Sequence, residues 1–148
     1  MRAILQRVDE ASVAINKKEV GKIGKGYLLL VGFTKDDNMQ DVLKVCQKIV
    51  NLRIFTDEKD KMNLSINDVK GQILSVSQFT LYAKLNGRRP SFSSALSYDQ
   101  AEELYNVFNE TLKTMGQTVE TGKFGANMKV SLLNNGPVTI IIDSKEEK

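Results

Sequence analysis

Ser77-Gln78-Phe79-Thr80 puts two hydroxyls and a carboxamide at the end of the apolar segment Gln72 to Phe79, which reads as a strand. Small polar groups leaving a buried strand can line a polar pocket. The same residues also fit an ordinary alternating strand end, with Phe79 and Leu81 inward and Gln78 and Thr80 outward. A second group, Asn134-Asn135-Gly136-Pro137-Val138-Thr139, reads locally as a hairpin turn before an apolar strand. Pro137 brings no amide N–H, so neighbouring backbone groups must find other partners, and a cis Gly136-Pro137 bond would be a special feature. A third group, Lys84 followed by Gly87-Arg88-Arg89-Pro90-Ser91-Phe92, carries two arginines in a loop bounded by glycine and proline. Such arginines can grip phosphates, and Phe92 can stack on a base. A solvated loop with one packed phenylalanine accounts for the same residues. In Gly122-Lys123-Phe124-Gly125-Ala126-Asn127-Met128, two glycines flank an aromatic residue, as in a loop that approaches something closely or in a β-bulge.

The chemistry open to these groups is narrowed by what the chain lacks. It contains no histidine, which removes Ser-His-Asp and Cys-His catalysis, histidine-ligated zinc and a histidine general base. The single cysteine, Cys46, falls in an apolar helical pattern and excludes an internal disulfide or a cysteine-rich zinc site. The net charge of +3 is not that of a protein that coats duplex DNA, but it allows a local basic patch. No leader-like start and no membrane-length apolar run is present, so a cytoplasmic location is expected, with no membrane partner.

The elements that must position these groups follow from periodicity. Met1 to Val8 and Ser12 to Ile15 read as strands, with Asn16-Lys17-Lys18 as a turn and Glu19 to Ile23 as a return strand. Tyr27 to Phe33 is continuously apolar, as in a strand buried on both faces. Asp36 to Asn38 offers helix caps ahead of Val42, Val45, Cys46 and Ile49 at helical spacing. Asp57 to Asn63 reads as a charged loop and Lys84 to Ser94 as a long one. Ser97 with Gln100 forms a capping-box pattern ahead of Ala101, Leu104, Tyr105, Phe108, Leu112 and Met115, and Gly116 stands at a C-cap position. Thr118 to Thr121, Met128 to Leu133 and Val138 to Ile142 read as strands, and Ser144 to Lys148 as a frayed charged tail. With about seven strands and two helices in 148 residues, the expectation is one α+β domain spanning 1–148. It would hold a mostly antiparallel or mixed sheet with two main helices on one side.

Taken together and in this order, several segments resemble the D-aminoacyl-tRNA deacylases, also called D-tyrosyl-tRNA deacylases. They are the start Met1-Arg2-Ala3-Ile4-Leu5-Gln6-Arg7-Val8, Ser77-Gln78-Phe79-Thr80, the Gly87 to Phe92 loop, the Gly125-Ala126 step and the Asn-x-Gly-Pro-Val-Thr ending. The resemblance covers essentially the whole chain. It implies a homodimer with active sites at the subunit interface, acting on aminoacylated tRNA, with no metal or organic cofactor and no DNA partner. It places Ser77, Gln78, Phe79 (through its backbone) and Thr80 in the catalytic segment. Gly136 and Pro137 match a dipeptide that reaches into the partner's pocket and excludes L-amino acids, and Arg7 matches a position that helps hold it. Val138 and Met128 join them in substrate binding and chiral selection. Lys84, Arg88, Arg89 and Phe92 are the expected tRNA contacts. The implied reaction is hydrolysis of the ester of D-aminoacyl-tRNA, and of glycyl-tRNA, with L-aminoacyl-tRNA left intact. Because no histidine can activate Ser77 or Thr80, the free 2′-hydroxyl of the terminal ribose is expected to assist, with backbone N–H groups receiving the oxyanion. Two other readings of the residues remain: a non-catalytic module for single-stranded RNA ends, and an interaction protein that assembles through a strand edge.

Overall fold

The computed structural model describes residues 1–146. Its organising strand is β1 (Arg2–Ile15), 14 residues long. Along one edge its first half pairs antiparallel with β3 (Gly26–Gly32) and its second half with β2 (Lys18–Ile23). Along its other edge it pairs antiparallel with β8 (Lys129–Asp143). β3 pairs in parallel with β6 (Gln72–Ser77), and β6 in parallel with β7 (Thr118–Thr121). Parallel neighbours need long crossovers. The first contains α1 (Met39–Asn51) and the small hairpin of β4 (Phe55–Thr56) and β5 (Met62–Leu64), and the second contains α2 (Tyr98–Thr114). The sheet is therefore mixed and curls toward closure. At Gly21 of β2 an added Cβ would lie 2.8 Å from the Thr121 carbonyl oxygen of β7, an approach only glycine permits.

Both faces of the sheet are apolar. Leu5, Tyr27, Leu29, Val31, Ile73 and Ile142 pack under Val42, Val45 and Ile49 of α1 and Tyr105, Phe108 and Leu112 of α2. The concave face holds a second cluster of Val8, Ala11, Val13, Ile23, Leu28, Leu74 and Val76. This explains the uninterrupted apolar run from Tyr27 to Phe33: β3 is covered on both sides, and the two helices lie on one side as expected. At the start of α1, Asn38 is the cap, accepting from the Gln40 amide while Asp41 accepts from the Asn38 amide. Gly116, with φ +92°, follows the end of α2.

Several expectations need correction. The two N-terminal strands are one, and so are the two C-terminal strands. Asn134 to Gly136 is not a hairpin turn but part of a bulge inside β8. Gln6 pairs with Thr139 and Val8 with Asn134, so residues 135–138 bow out opposite Arg7. The strand from Gln72 ends at Ser77, and Phe79–Tyr82 forms a 3-10 turn. The charged loop 57–63 is largely a hairpin turn. Ser97 caps no amide of α2, because its hydroxyl donates to Gln100 Oε1 at 2.9 Å. The frayed tail is docked at its first residues. Ser144 is buried and Lys145 pairs with Asp41 at 3.0 Å, while residues 147–148 lie outside the described part.

That docking closes the domain. The Met1 ammonium donates to Asp37 Oδ1 at 2.7 Å and to Ser144 Oγ at 2.6 Å, and both charged groups of the pair are fully buried. One carboxylate thus ties the start of β1 and the end of β8 to the entry of α1, and it also accepts from the Thr34 amide. Asp37→Ala leaves a buried cation without its anionic partner, with only the Ser144 hydroxyl still accepting from it. The expected loss is about 3–5 kcal/mol, or roughly 10 °C in Tm for a chain of this size, with Asp37→Asn losing less. A thermal melt of the three proteins checks it, and equal melting temperatures would show that the pair carries no stability.

Candidate functional site

The 3-10 turn Phe79–Tyr82 begins where β6 runs out of neighbours. Its base is tied to β3, since the Gln78 amide donates to the Val31 carbonyl at 2.7 Å. It sits directly on Gly32, where a Cβ would lie 2.8 Å from the Gln78 carbonyl oxygen and 3.1 Å from Leu81 Cβ. Leu81 and Ala83 donate backward to Gln78 and Thr80. The amides of Phe79 and Thr80, first in the turn, have no acceptor among the described residues, as helix starts leave their first N–H groups unpaired.

Phe79 lines a cavity of about 620 Å³, and Thr80 follows just outside the lining; the volume is in the size range of a small-molecule site. Its floor is Val31, Gly32 and Phe33 of β3 with Val76 and Ser77 of β6. Gln78, Phe79 and Phe92 form one rim, and Phe124 to Met128 form the other. The second rim is braced from α2. Tyr98 and Phe124 meet edge to face with centroids 5.0 Å apart, and Gly125, with φ +77°, leaves room for the Tyr98 hydroxyl.

The chemical character of this lining is specific. Among the described residues it includes no Asp, Glu, Lys, Arg or Cys, and its polar side chains are Ser77, Gln78, Tyr98 and Asn127. Thr80 is exposed just outside it. The Thr80 hydroxyl oxygen accepts from Gln78 Nε2 at 2.5 Å, and an amide N–H cannot take a proton from it. Cys46 lies elsewhere, buried beneath α2, and burial pushes its thiol up to about 12, far from a reactive thiolate. Burial likewise pushes the Tyr27, Tyr82 and Tyr105 hydroxyls above the usual tyrosine range.

The structure thus gathers Ser77, Gln78, Phe79, Phe92 and Met128 around one cavity. Lys84, Arg88 and Arg89 are exposed on the loop behind Phe92 and make no ion pair among the described residues. Arg7, Gly136, Pro137 and Val138 form a separate cluster that lines no part of the same chain's cavity. There the buried Arg7 guanidinium donates to the Asn135 carbonyl at 3.1 Å and the Ile54 carbonyl at 2.6 Å. The Val138 amide donates to Asn134 Oδ1 at 3.1 Å, and Asn135 Nδ2 donates to Asp9. These bonds are the other partners that Pro137 forces on its neighbours. Gly136-Pro137 is cis, and at Gly136, with φ +123°, an added Cβ would lie 2.8 Å from both Arg7 Nη2 and Val138 Cγ2. Both residues are exposed. Sequence reasoning missed Gly32, Tyr98 and Phe124 as site residues. Only Phe124 left a signal, its flanking glycines.

Comparison with known proteins places the chain in a family. Residues 4–143 match the family model for D-Tyr-tRNA(Tyr) deacylase. A protein of Bacillus cytotoxicus (strain DSM 22905 / CIP 110041 / 391-98 / NVH 391-98) named D-aminoacyl-tRNA deacylase is 57% identical over 98% of this chain and all of its own length. One of the same name from Exiguobacterium sp. (strain ATCC BAA-1283 / AT1b) is 55% identical over 97% of this chain and 98% of its own. Among solved structures, one named c-Myc DNA Unwinding Element Binding Protein superposes with a TM-score of 0.94 at 40% identity, covering 99% of this chain and 100% of its own. Another, described as a "probable eukaryotic D-amino acid tRNA deacylase", shares the fold with a TM-score of 0.81 at 21% identity, over 96% of this chain and 98% of its own. The chain belongs to the D-Tyr-tRNA(Tyr) deacylase family.

Proposed function

We propose that this protein is a hydrolase that cleaves the ester between a D-amino acid and the terminal ribose of tRNA, acting in the cytoplasm as a homodimer. The observation that carries the reading is the cavity: aromatic walls, two unpaired backbone amides at its edge, and no ionisable acid or base in its lining other than the Tyr98 phenol. An aminoacylated adenosine fits a space of this size and character. The relatives' names give the substrate class.

The catalytic roles follow from what the lining offers. The Phe79 and Thr80 amides receive the oxyanion that develops on the ester carbonyl, and such preorganised donors are each worth about two to three orders of magnitude in rate. Gln78 and Ser77 orient the substrate. With no side-chain base present, the 2′-hydroxyl beside the 3′-ester orients or activates the attacking water, and the enzyme supplies position rather than protons. Lys84, Arg88 and Arg89 hold phosphates behind the terminal adenosine, as loop guanidinium groups do.

Chiral selection comes from the second cluster, supplied by a partner subunit. Gly136 and Pro137 project outward on their own chain while lining none of its cavity. Among the described residues β8 pairs only with β1, and it exposes Leu132, Leu133 and Ile141, an apolar edge that calls for cover. Inserted into a partner's cavity beside Met128, the Gly136-Pro137 main chain, rooted by the buried Val138 of its own chain, is a wall without a side chain that could rotate away. An L side chain meets it, a D side chain points away, and glycine has nothing to clash.

Incubation with D-tyrosyl-, L-tyrosyl- and glycyl-tRNA tests the reading directly. The D and glycyl esters are cut by a species of about twice the monomer mass in light scattering, a twofold assembly, and the L ester survives. Binding without cleavage of any ester would favour a non-catalytic RNA module, and equal cleavage of the L ester would remove the wall. A second experiment separates substrate assistance from a covalent Thr80. Thr80→Ala is expected to keep most of the activity, whereas D-tyrosyl-tRNA ending in 2′-deoxyadenosine is expected to be nearly inert. A folded but dead Thr80→Ala enzyme, or a trapped acyl-enzyme, would assign the hydroxyl a nucleophilic role.

A further inference from the structure

Phe79 and Phe92 meet edge to face, with centroids 5.0 Å apart and planes at 74°. Neither belongs to the core, for Phe79 is 56% and Phe92 37% exposed, and both line the cavity. The contact joins two differently anchored segments. Phe79 opens the 3-10 turn, which rests on Gly32 and has no side-chain cap. Phe92 follows a loop closed at its base by paired backbone bonds, Lys84 to Ser91 at 2.7 Å and Ser91 to Lys84 at 2.9 Å. Beyond Phe92 the chain is fastened to the end of β3, with Thr34 Oγ1 donating to the Ser94 carbonyl at 2.6 Å and the Leu96 amide to the Phe33 carbonyl at 3.0 Å. Phe92 therefore has a fixed root, and its ring packs on Phe79, the residue that carries one unpaired amide and precedes the other; the same stretch is otherwise held by the Gly32 seat, the Gln78 amide bond to the Val31 carbonyl and the Gln78 side-chain bond to the Thr80 hydroxyl.

We propose that Phe92 is a positioning residue for the hydrolysis: its edge-on contact holds Phe79, and with it the two amides, in the orientation the reacting carbonyl needs. The proposal rests on the oxyanion role given to those amides above. It differs from the simple use of an exposed aromatic ring at a tRNA site, stacking on a base, which would act on affinity. An aromatic pair of this geometry is worth up to about tenfold in an equilibrium, and misplacing a catalytic group by about an ångström can reduce a rate about a hundredfold.

The test compares Phe92→Ala and Phe92→Tyr with the unmodified protein on D-tyrosyl-tRNA and on 3′-O-D-tyrosyl adenosine, which keeps the 2′-hydroxyl but has no phosphates. Phe92→Ala is expected to lower kcat by between about tenfold and a hundredfold on both substrates with KM little changed. Phe92→Tyr, which keeps the ring, is expected to restore it. The backbone amide resonances of Phe79 and Thr80 are expected to move in Phe92→Ala and return in Phe92→Tyr, a readout independent of turnover. A Phe92→Ala enzyme with a raised KM for tRNA alone, unchanged kcat and normal adenosine-ester kinetics would overturn the proposal in favour of base stacking. Unchanged kinetics and resonances would overturn it outright. Failure of the unmodified protein to cut D-tyrosyl-tRNA would instead defeat the deacylase reading itself, and this proposal with it.

Discussion

A guanidinium buried in the middle of the longest shared ladder decides much of this structure. Arg7 is only 7% exposed and forms no ion pair among the described residues. A buried cation is tolerable only if its donors are satisfied. Arg7 meets that demand with the carbonyls of Ile54 and Asn135, supplemented at 3.4 Å by Thr56 Oγ1 and Asn135 Oδ1. Those partners come from two places far apart in sequence, the approach to β4 and the bulge of β8. The bulge therefore has one position relative to β1, and Gly136 is required beside Nη2 because any Cβ would take the guanidinium's space. On the neighbouring strand Tyr27 lies opposite Arg7 in register. Burial holds its hydroxyl neutral despite the nearby positive charge.

In the proposed mechanism the site has two halves with a division of labour. One half is a cavity with two free amides and an aromatic, uncharged wall; the other is a rigid outward-facing main-chain loop. Neither depends on the protonation of a side chain. A chain without histidine can run hydrolysis in this way if the substrate brings the hydroxyl and the protein brings fixed dipoles, which need no reorganisation as charge develops. The same logic explains why glycine residues recur at the site. Gly32 seats the turn, Gly125 admits Tyr98 and Gly136 admits Arg7, and each lets the backbone come closer than any side chain would allow.

Much of this was legible in the sequence, and the failures share a cause. The doubly buried β3 and the Asn38 cap follow from local pattern, whereas the Ser77 to Thr80 and Gly136 to Thr139 motifs read locally as a strand end and a turn and take on chemistry only through the family resemblance. The continuity of β8 does not, because Asn-Gly-Pro is locally indistinguishable from a hairpin turn. Only the pairing of β1 with both flanks of the bulge shows that the strand resumes in the same ladder. Gln78 and Thr80 continue the alternation of β6, yet the strand stops because its neighbours do: β7 ends opposite Ser75, and β3 opposite Ser77. Tyr98 reads as a routine first residue of a helix, and its role in bracing the second rim depends on a loop some 25 residues away. Gly32 likewise sits inside an apolar run with nothing to mark the turn that rests on it.

In the proposed mechanism a buried guanidinium holds the wall that makes the site stereospecific. Arg7→Lys keeps the charge but cannot span the Ile54 and Asn135 carbonyls as a planar fork does. The ratio of D- to L-tyrosyl-tRNA cleavage by the folded variant measures the claim directly. D-tyrosyl-tRNA is expected to be cut still, while the ratio falls by about tenfold or more, the scale of losing a charge-assisted hydrogen bond. An Arg7→Lys enzyme that folds normally and leaves L-tyrosyl-tRNA as intact as the unmodified protein does would contradict it.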